Sequence, residues 1–471
     1  MTPYKWTIEE VLRATGGVLA SGSADGAVAD IGIDSRTIGP DGLFVAIAGE
    51  THDGHDFVVD VLDRGVKAVV IATSQVARMP EQRMTDRGVT CVTVSDTTQA
   101  LGDLARFNRN RGRLSVLAVT GSNGKTSTRR FMDGVISQRY KNLSTSGNLN
   151  NHIGLPLTLF RLAPEHQTAV VELGMNHAGE ITHLGSICQP DVGIITNVGP
   201  AHLEGLGSID NVARAKEELL HTIRPGGTAI LNADDPRVRA MANGVDHQVI
   251  YFGCDKRAQV RADRIAHNGA GITFQLIAST GAIPVTLATP ARVMVSNALA
   301  AAAAGEMMGV SLEKIKLGLE AFSPRPGRMG ICKLGRGITL IDDSYNANPE
   351  SMRAAIDTLV KMGGRRRTIA VLGDMLELGE QSAALHRGVG RTVGEAGVDR
   401  LYVAGRFAGE VADGAMAQDM PAGNIVTGTK VAITDRLVED LQPGDLILVK
   451  GSRGMAMEQV VEAISGWAGD R

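Results

Sequence analysis

The sequence predicts an α/β protein of three domains, the central one built on a doubly wound parallel sheet. Three observations carry this. Short apolar runs that read as buried strands alternate with helix-like stretches along the whole chain. At 471 residues it exceeds what one core serves, so about two to four domains are expected. The rhythm breaks twice, at the basic, polar Arg109–Arg113 and at the turn-rich Pro324–Gly327.

A smaller α/β domain over residues 1–112 has apolar runs at Leu43–Ile47, Ala68–Ala72 and Cys91–Val94. A helix-like stretch lies among them at Phe57–Arg64, and the segment closes with Thr97–Asn110. The second domain, 113–325, opens with the apolar Val116–Thr120, breaks into Gly121-Ser122-Asn123-Gly124-Lys125-Thr126, and continues as a helix marked by Phe131 and Val135. Further strands are predicted at Thr168–Glu172, Asp191–Thr196 and Thr228–Asn232. A helix over Asn211–Arg224 has Ser208 or Asp210 as N-cap. The domain ends in a nearly all-apolar helix, Ala298–Met308, whose Ala300–Ala304 run reads as close helix packing. In 326–471 the rhythm returns, with strands at Ile338–Ile341, Thr368–Leu372, Leu401–Ala404 and Leu446–Val449.

Composition excludes several classes. A net charge of -3 without a basic block, and only 3% aromatics, argue against a nucleic-acid partner. No run of about 18 apolar residues and no secretory core occur, so a soluble cytoplasmic chain without membrane insertion is expected. Cys91, Cys188, Cys254 and Cys332 form no Cys-x-x-Cys pair and read as reduced, buried thiols.

The segment Gly121–Thr126 carries the strongest chemical signal. Glycines between a strand and a helix let backbone N–H groups turn toward an anion at the helix N-terminus. Lys125 adds a point charge for phosphates, and the Thr126 hydroxyl is a magnesium ligand in such loops. The usual phosphate loop has four residues between its first glycine and Gly-Lys; here there are two, and Val119 stands where that glycine would fall.

Glu172 ends an otherwise buried strand, with Gly174 close behind. A carboxylate there stands in the crevice where ligands bind, in reach of a phosphate-bridged metal; the alternative is a solvated loop acid. His202 follows the strand ending near Thr196 and is either a ligand or a satisfied surface group. Lys216 falls mid-stripe among Val212, Leu219 and Ile223, whereas Arg214, Glu217, Glu218 and His221 take the opposite face. A lysine on the apolar side must snorkel, pair or be chemically altered.

In order, Gly121-Ser-Asn-Gly-Lys-Thr126, Glu172-Leu-Gly174, Asn197-Val-Gly-Pro-Ala-His202 and Ala213-Arg-Ala-Lys216 resemble the motifs of the Mur ligase family, ATP-dependent enzymes that form amides. Ser296-Asn-Ala-Leu-Ala300, Pro326-Gly-Arg-Met329 and Asp342-Asp-Ser-Tyr-Asn-Ala-Asn-Pro349 extend the resemblance over nearly the whole chain. Gly147–Pro156, Glu172–Asn176 and Asp342–Pro349 resemble the members that add D-alanyl-D-alanine to UDP-N-acetylmuramoyl-tripeptide.

The resemblance implies that Gly121, Ser122, Asn123, Gly124, Lys125, Thr126 and Ser127 hold the ATP phosphates. Thr126 and Glu172 would share one magnesium ion, and Glu172, His202 and Lys216 a second. Lys216 is carbamylated in many relatives, which turns a cation into a carboxylate-like ligand. Asn297 resembles the adenine contact, Asp343 the ribose contact, and Arg328 a phosphate contact reaching in from the third domain. Lys125, Glu172, His202, Lys216 and Arg328 would form the catalytic set. Asp34-Ser35-Arg36 and Thr51-His52-Asp53-Gly54-His55 resemble the loops that receive the UDP-sugar, and Asn148, Asn151, Asn346 and Asn348 are further substrate candidates. His52 and His55 also suggest a metal pair, but two histidines alone do not make a site.

The family further implies a Rossmann-like third domain that closes on ATP and the dipeptide, in a monomer. Three alternatives stand beside this reading. One is another family ligase, such as folylpolyglutamate synthase or the diaminopimelate-adding ligase, though the third domain lacks the Asp-Asn-Pro-Arg string of the latter. A second is a GTPase switch, for which no Asn-Lys-x-Asp string occurs. An inert relative is the third, against which the intact Lys125, Glu172, His202 and Lys216 speak.

Overall fold

A computed structural model describes residues 1–268 and 271–469, and the alternation resolves into principal sheets of five, nine and six strands. The five-stranded sheet runs Val18–Ser21, Thr90–Val94, Ala68–Ala72, Gly42–Val45, Asp30–Gly32, parallel except for its first strand.

The nine-stranded sheet runs from the edge strand Asn142–Ser144 through Thr168–Glu172, Ser115–Thr120, Val192–Ile195, Thr228–Asn232, Gln248–Gly253 and Val260–Asn268, all parallel. Thr168–Glu172, Val192–Ile195 and Thr228–Asn232 are buried at every residue, as in a parallel sheet covered on both faces. Two more strands, Gly271–Ala278 and Gly281–Leu287, continue it antiparallel, which the sequence reading did not anticipate. The signal was present. Buried Ile272, Phe274 and Leu276 alternate with half-buried Thr273, Gln275 and Ile277, and the chain turns at Ser279-Thr280.

The helix after the phosphate loop, Lys125–Ile136, packs between Val293–Met307 and Leu312–Glu320. Ala300–Ala304 are at most 1% exposed, so the alanines admit a close neighbour as expected. A Cβ on Gly134 would stand 2.7 Å from the Gly318 carbonyl oxygen, so two helices meet there through bare backbone. The Lys216 helix spans Ile209–His221, starting and ending earlier than its periodicity suggested. Ser208, not Asp210, caps it by accepting the Asn211 N–H at 3.2 Å. Thr222 closes it, ahead of Pro225-Gly226-Gly227.

In the six-stranded sheet Gly330–Lys333 lies antiparallel to Thr339–Asp343, followed in parallel by Leu446–Lys450, Thr368–Leu372, Arg400–Ala404 and Ile425–Gly428. The cysteines are all free, but only Cys91 and Cys188 are buried; burial pushes their thiols up to about 11 and about 12. Cys254 is exposed and Cys332 half-buried, which corrects the expectation for these two. Cys254 follows the end of Gln248–Gly253, where the chain leaves the sheet. Among the described residues no helix is long and apolar enough to cross a membrane.

Candidate active site

The loop after Ser115–Thr120 needs its glycines for want of space. A Cβ on Gly121 would stand 1.8 Å from Thr196 Oγ1, and one on Gly124 would stand 2.3 Å from Asn297 Oδ1. Both also have positive φ, 149° and 82°. The neighbouring strand end fixes the loop: Ser122 N donates to Asn197 O (3.0 Å), Asn123 N to Asn197 Oδ1 (2.8 Å), and Thr196 Oγ1 to Asn123 O (2.6 Å). No side chain caps the helix that follows, so its first N–H groups remain for an anion. Lys125 Nζ donates to Gly121 O at 2.7 Å, lying back over the loop. Desolvation lowers its pKa, with Glu172 pulling the other way.

Glu172 is 2% exposed. Its Oε1 accepts from Asn150 Nδ2 at 2.8 Å, whereas Oε2 has no hydrogen-bond partner and lies 3.7 Å from Arg129 Nε. A buried carboxylate oxygen left without a partner fits a hard cation. Among the described residues no three His, Cys, Asp or Glu side chains gather around a metal position, so Thr126, phosphate oxygens and an altered Lys216 would have to complete such a set. Lys216 is 1% exposed and has no ion-pair partner among the described residues; burial holds its pKa well below the ordinary lysine value. The readings of Glu172 as a solvated acid and of Lys216 as a snorkelling lysine therefore fail.

The third domain closes over the loop. Asn348 Nδ2 donates to Asn123 Oδ1 at 2.7 Å, and Asn123 Nδ2 donates to Glu350 Oε2 at 3.2 Å. Asp342 shapes this side: its Oδ2 accepts the Gly327 N–H at 2.6 Å and its Oδ1 accepts Ser344 Oγ at 2.6 Å. That pins the linker to the Asp342–Pro349 segment and lays Arg328 over the Tyr345 ring, 4.0 Å from its centroid. Asp343 Oδ2 takes a salt bridge from Lys450 Nζ at 2.5 Å and its Oδ1 accepts the Met329 N–H at 3.0 Å. Burial nonetheless holds the Asp343 carboxyl above its usual range.

One cleft of about 1030 Å³ gathers these groups. Ser122 to Ser127, Glu172, His202 and Asn297 line it from the central domain, and Arg328, Asp343, Asn346 and Asn348 from the third. Asn148 and Asn151 line it as well, whereas Gly121 and Lys216 do not. Sequence reading missed Asn150, Glu350 and Lys450. Lys450 had a signal, because it ends the apolar strand Leu446–Lys450 as Glu172 ends its own. Burial also raises the Glu350 carboxyl, with Asp235 adding to the effect.

The first-domain candidates Ser35, Arg36 and Thr51 to His55 stand outside this cleft. Arg36 holds Asp34 through Nε and Nη2, each at 2.9 Å, and lowers that carboxyl to about 2. His55 is buried: Nε2 accepts the Ala72 N–H at 3.0 Å, so Nδ1 carries the proton and donates to Asp53 Oδ1 at 2.6 Å. Both ring nitrogens are engaged, so no His52–His55 metal pair forms. Instead, His55 fastens the Thr51–Gly54 loop to the strand Ala68–Ala72.

A phosphate loop facing a second domain that brings its own acids, amides and arginine belongs to a protein that handles a nucleoside triphosphate together with another substrate. Family models agree: the Mur ligase family catalytic domain matches residues 27–109, the Mur ligase middle domain 119–305, and the Mur ligase glutamate ligase domain 327–453. The chain belongs to the Mur ligase family. The UDP-N-acetylmuramoyl-tripeptide–D-alanyl-D-alanine ligase of Escherichia coli K12 is 38% identical over 435 residues, covering 92% of each chain. MurF from Acinetobacter baumannii superposes with a TM-score of 0.90 at 33% identity, over 99% of this chain and 100% of that one. MurF from Thermotoga maritima in complex with ADP gives 0.81 at 25% identity, over 94% and 98%.

Proposed function

We propose that this chain is the ATP-dependent ligase that joins D-alanyl-D-alanine to UDP-N-acetylmuramoyl-tripeptide, forming ADP, phosphate and the pentapeptide precursor of peptidoglycan. The observation that carries this reading is the contact of the phosphate loop with the Asp342–Pro349 segment through Asn123 and Asn348, which unites the ATP site and the third domain.

Lys125 and the free N–H groups of the helix Lys125–Ile136 hold the ATP phosphates. Thr126 and Glu172 would hold one magnesium ion, and Glu172, His202 and a carbamylated Lys216 a second, where bound metal neutralises phosphate charge. The tripeptide carboxylate attacks the γ-phosphorus and the bond to the ADP oxygen breaks, giving an acyl phosphate. Positioning does most of this work, with Arg328 on the phosphates and Asn297 and Asp343 on the nucleoside. The dipeptide amine then attacks the acyl carbon, phosphate leaves and one proton is released; Lys125 stabilises the oxyanion of the tetrahedral intermediate. Asn346 and Asn348 face the dipeptide, Asn148 and Asn151 the peptide arm, and Ser35, Arg36 and the Thr51–His55 loop the UDP-sugar. With all these groups on one chain, a monomer would suffice for the reaction, and we propose that state. Use of these nucleotide substrates supports a cytoplasmic location.

Sustained phosphate release is expected only with ATP, magnesium, UDP-linked tripeptide and D-alanyl-D-alanine together. Robust release with ATP alone, indifferent to both other substrates, defeats the ligase reading.

Closure is a second expected result. Arg328 and Asp343 lie beyond the linker yet serve a nucleotide on the central domain, so the third domain swings onto it. Small-angle scattering should show compaction when an ATP analogue and UDP-tripeptide are added. An unchanged radius of gyration, with parental kinetics for Arg328→Ala, overturns this.

A further inference from the structure

The third domain touches the central one at a second place. The segment after Thr368–Leu372 carries Glu377, whose Oε2 lies 2.7 Å from His202 Nδ1. Its backbone oxygen accepts the Glu204 N–H at 3.1 Å. Gly379 lies on the same spot, where a Cβ would stand 3.4 Å from Glu204 Cα. Both partners are strained: His202 has φ 55° and Glu377 φ 63°, left-handed conformations that cost non-glycine residues energy and collect at clamps and switches.

We propose that Glu377 is the positioning residue for His202: closure of the third domain sets the imidazole tautomer and leaves Nε2 to a cation, so closure and cation binding are one linked event. This rests on the ligase reading, in which His202 is a metal ligand. A carboxylate only accepts, so a proton sits on Nδ1, and the neutral ring held this way presents its Nε2 lone pair to a cation. Metal-binding histidines commonly have the other ring nitrogen held by such a carboxylate. In this chain that carboxylate comes from a different domain. Among the described residues nothing else hydrogen-bonds the His202 ring, so its orientation is fixed only when the domains meet. The pair is too open to serve stability, since the Glu377 side chain is 54% exposed and His202 20%. Its consequence is orientation. By reciprocity, a cation that prefers the oriented ring draws the third domain closed.

The test uses Mn2+ as a paramagnetic probe, titrated into the full chain with a non-hydrolysable ATP analogue and read by electron paramagnetic resonance. Glu377→Ala and Glu377→Gly should each weaken Mn2+ by about 10–100-fold, the range for outer partners of metal ligands. Glu377→Gly should do so without lowering the thermal midpoint, because glycine accepts the left-handed backbone. His202→Ala sets the floor, and Glu380→Ala, an exposed acid nearby, should match the parent. Scattering should show Mn2+ compacting the parent but not the Glu377 variants at the same concentration. If either variant binds Mn2+ as tightly as the parent, or His202→Ala does, the proposal is wrong. No turnover enters this readout, so failure here is separable from failure of the ligase reading, which would show as no substrate-dependent phosphate release by the parent.

Discussion

Lys125→Ala is expected to lower phosphate release by about 10²–10³-fold, the cost of removing one preorganised electrostatic donor from a transition state. The ammonium touches little else: its hydrogen bond is to Gly121 O within its own loop, and the loop is held independently by Thr196 and Asn197. The variant should therefore keep the thermal midpoint of the parent while losing rate, which separates chemistry from folding. Arginine at this position should not substitute. A planar fork does not fit where a compact charge lies back over a tight loop, and it would meet the Gly121 carbonyl in the wrong direction. An unchanged rate for Lys125→Ala refutes the assigned role.

Much of the site was legible because its residues break the pattern of the element they occupy. Glu172 ends a strand that is otherwise Thr168-Ala-Val-Val, and Lys216 interrupts the buried stripe of Val212 and Leu219. Burial makes such exceptions costly, so each had to have a partner or a task. The same logic marks Lys450, which went unread because its counterpart Asp343 comes from a neighbouring strand far away in sequence, and pairing register is invisible in a linear pattern. Glu350 and Glu377 were out of reach for another reason. Each sits in a connection or at a helix start where an acid is unremarkable, and only docking of one domain on another gives it a partner. His55 misled in the opposite direction: a histidine in a polar loop suggests a ligand, yet burial and the Ala72 N–H make it a brace. In the fold, the buried parallel runs that were named were placed within a residue or two, since they are apolar throughout, whereas the more exposed parallel strands Gln248–Gly253 and Ile425–Gly428 were missed. The antiparallel extension, half-exposed and alternating, was passed over.

Lys216→Arg is expected to fail as completely as Lys216→Ala, each by about 10²-fold or more, since even outer-shell partners of metal ligands are worth about 10–100-fold. The side chain is enclosed, without an anionic partner among the described residues, and subject to the positive field of Lys125. An ammonium there would be doubly disfavoured and would repel a magnesium ion shared by Glu172 and His202. Burial and Lys125 both lower its pKa and so favour the neutral amine, the form that reacts with carbon dioxide. In a carbamate-forming reaction nitrogen would attack the carbon, a proton would leave to solvent, and the product would carry the hard anionic oxygen that magnesium prefers. The charge then opposes that of Lys125 instead of matching it, and the burial that destabilised the ammonium now strengthens the attraction. Arginine keeps a positive charge at every accessible pH and forms no carbamate, so size and charge conservation do not rescue it. Short carboxylic acids should restore part of the activity of Lys216→Ala by placing an oxygen in the vacated space, and should do nothing for Lys216→Arg, where no space is vacated. If Lys216→Arg turns over like the parent chain, the lysine acts as a cation and the carbamate assignment is wrong.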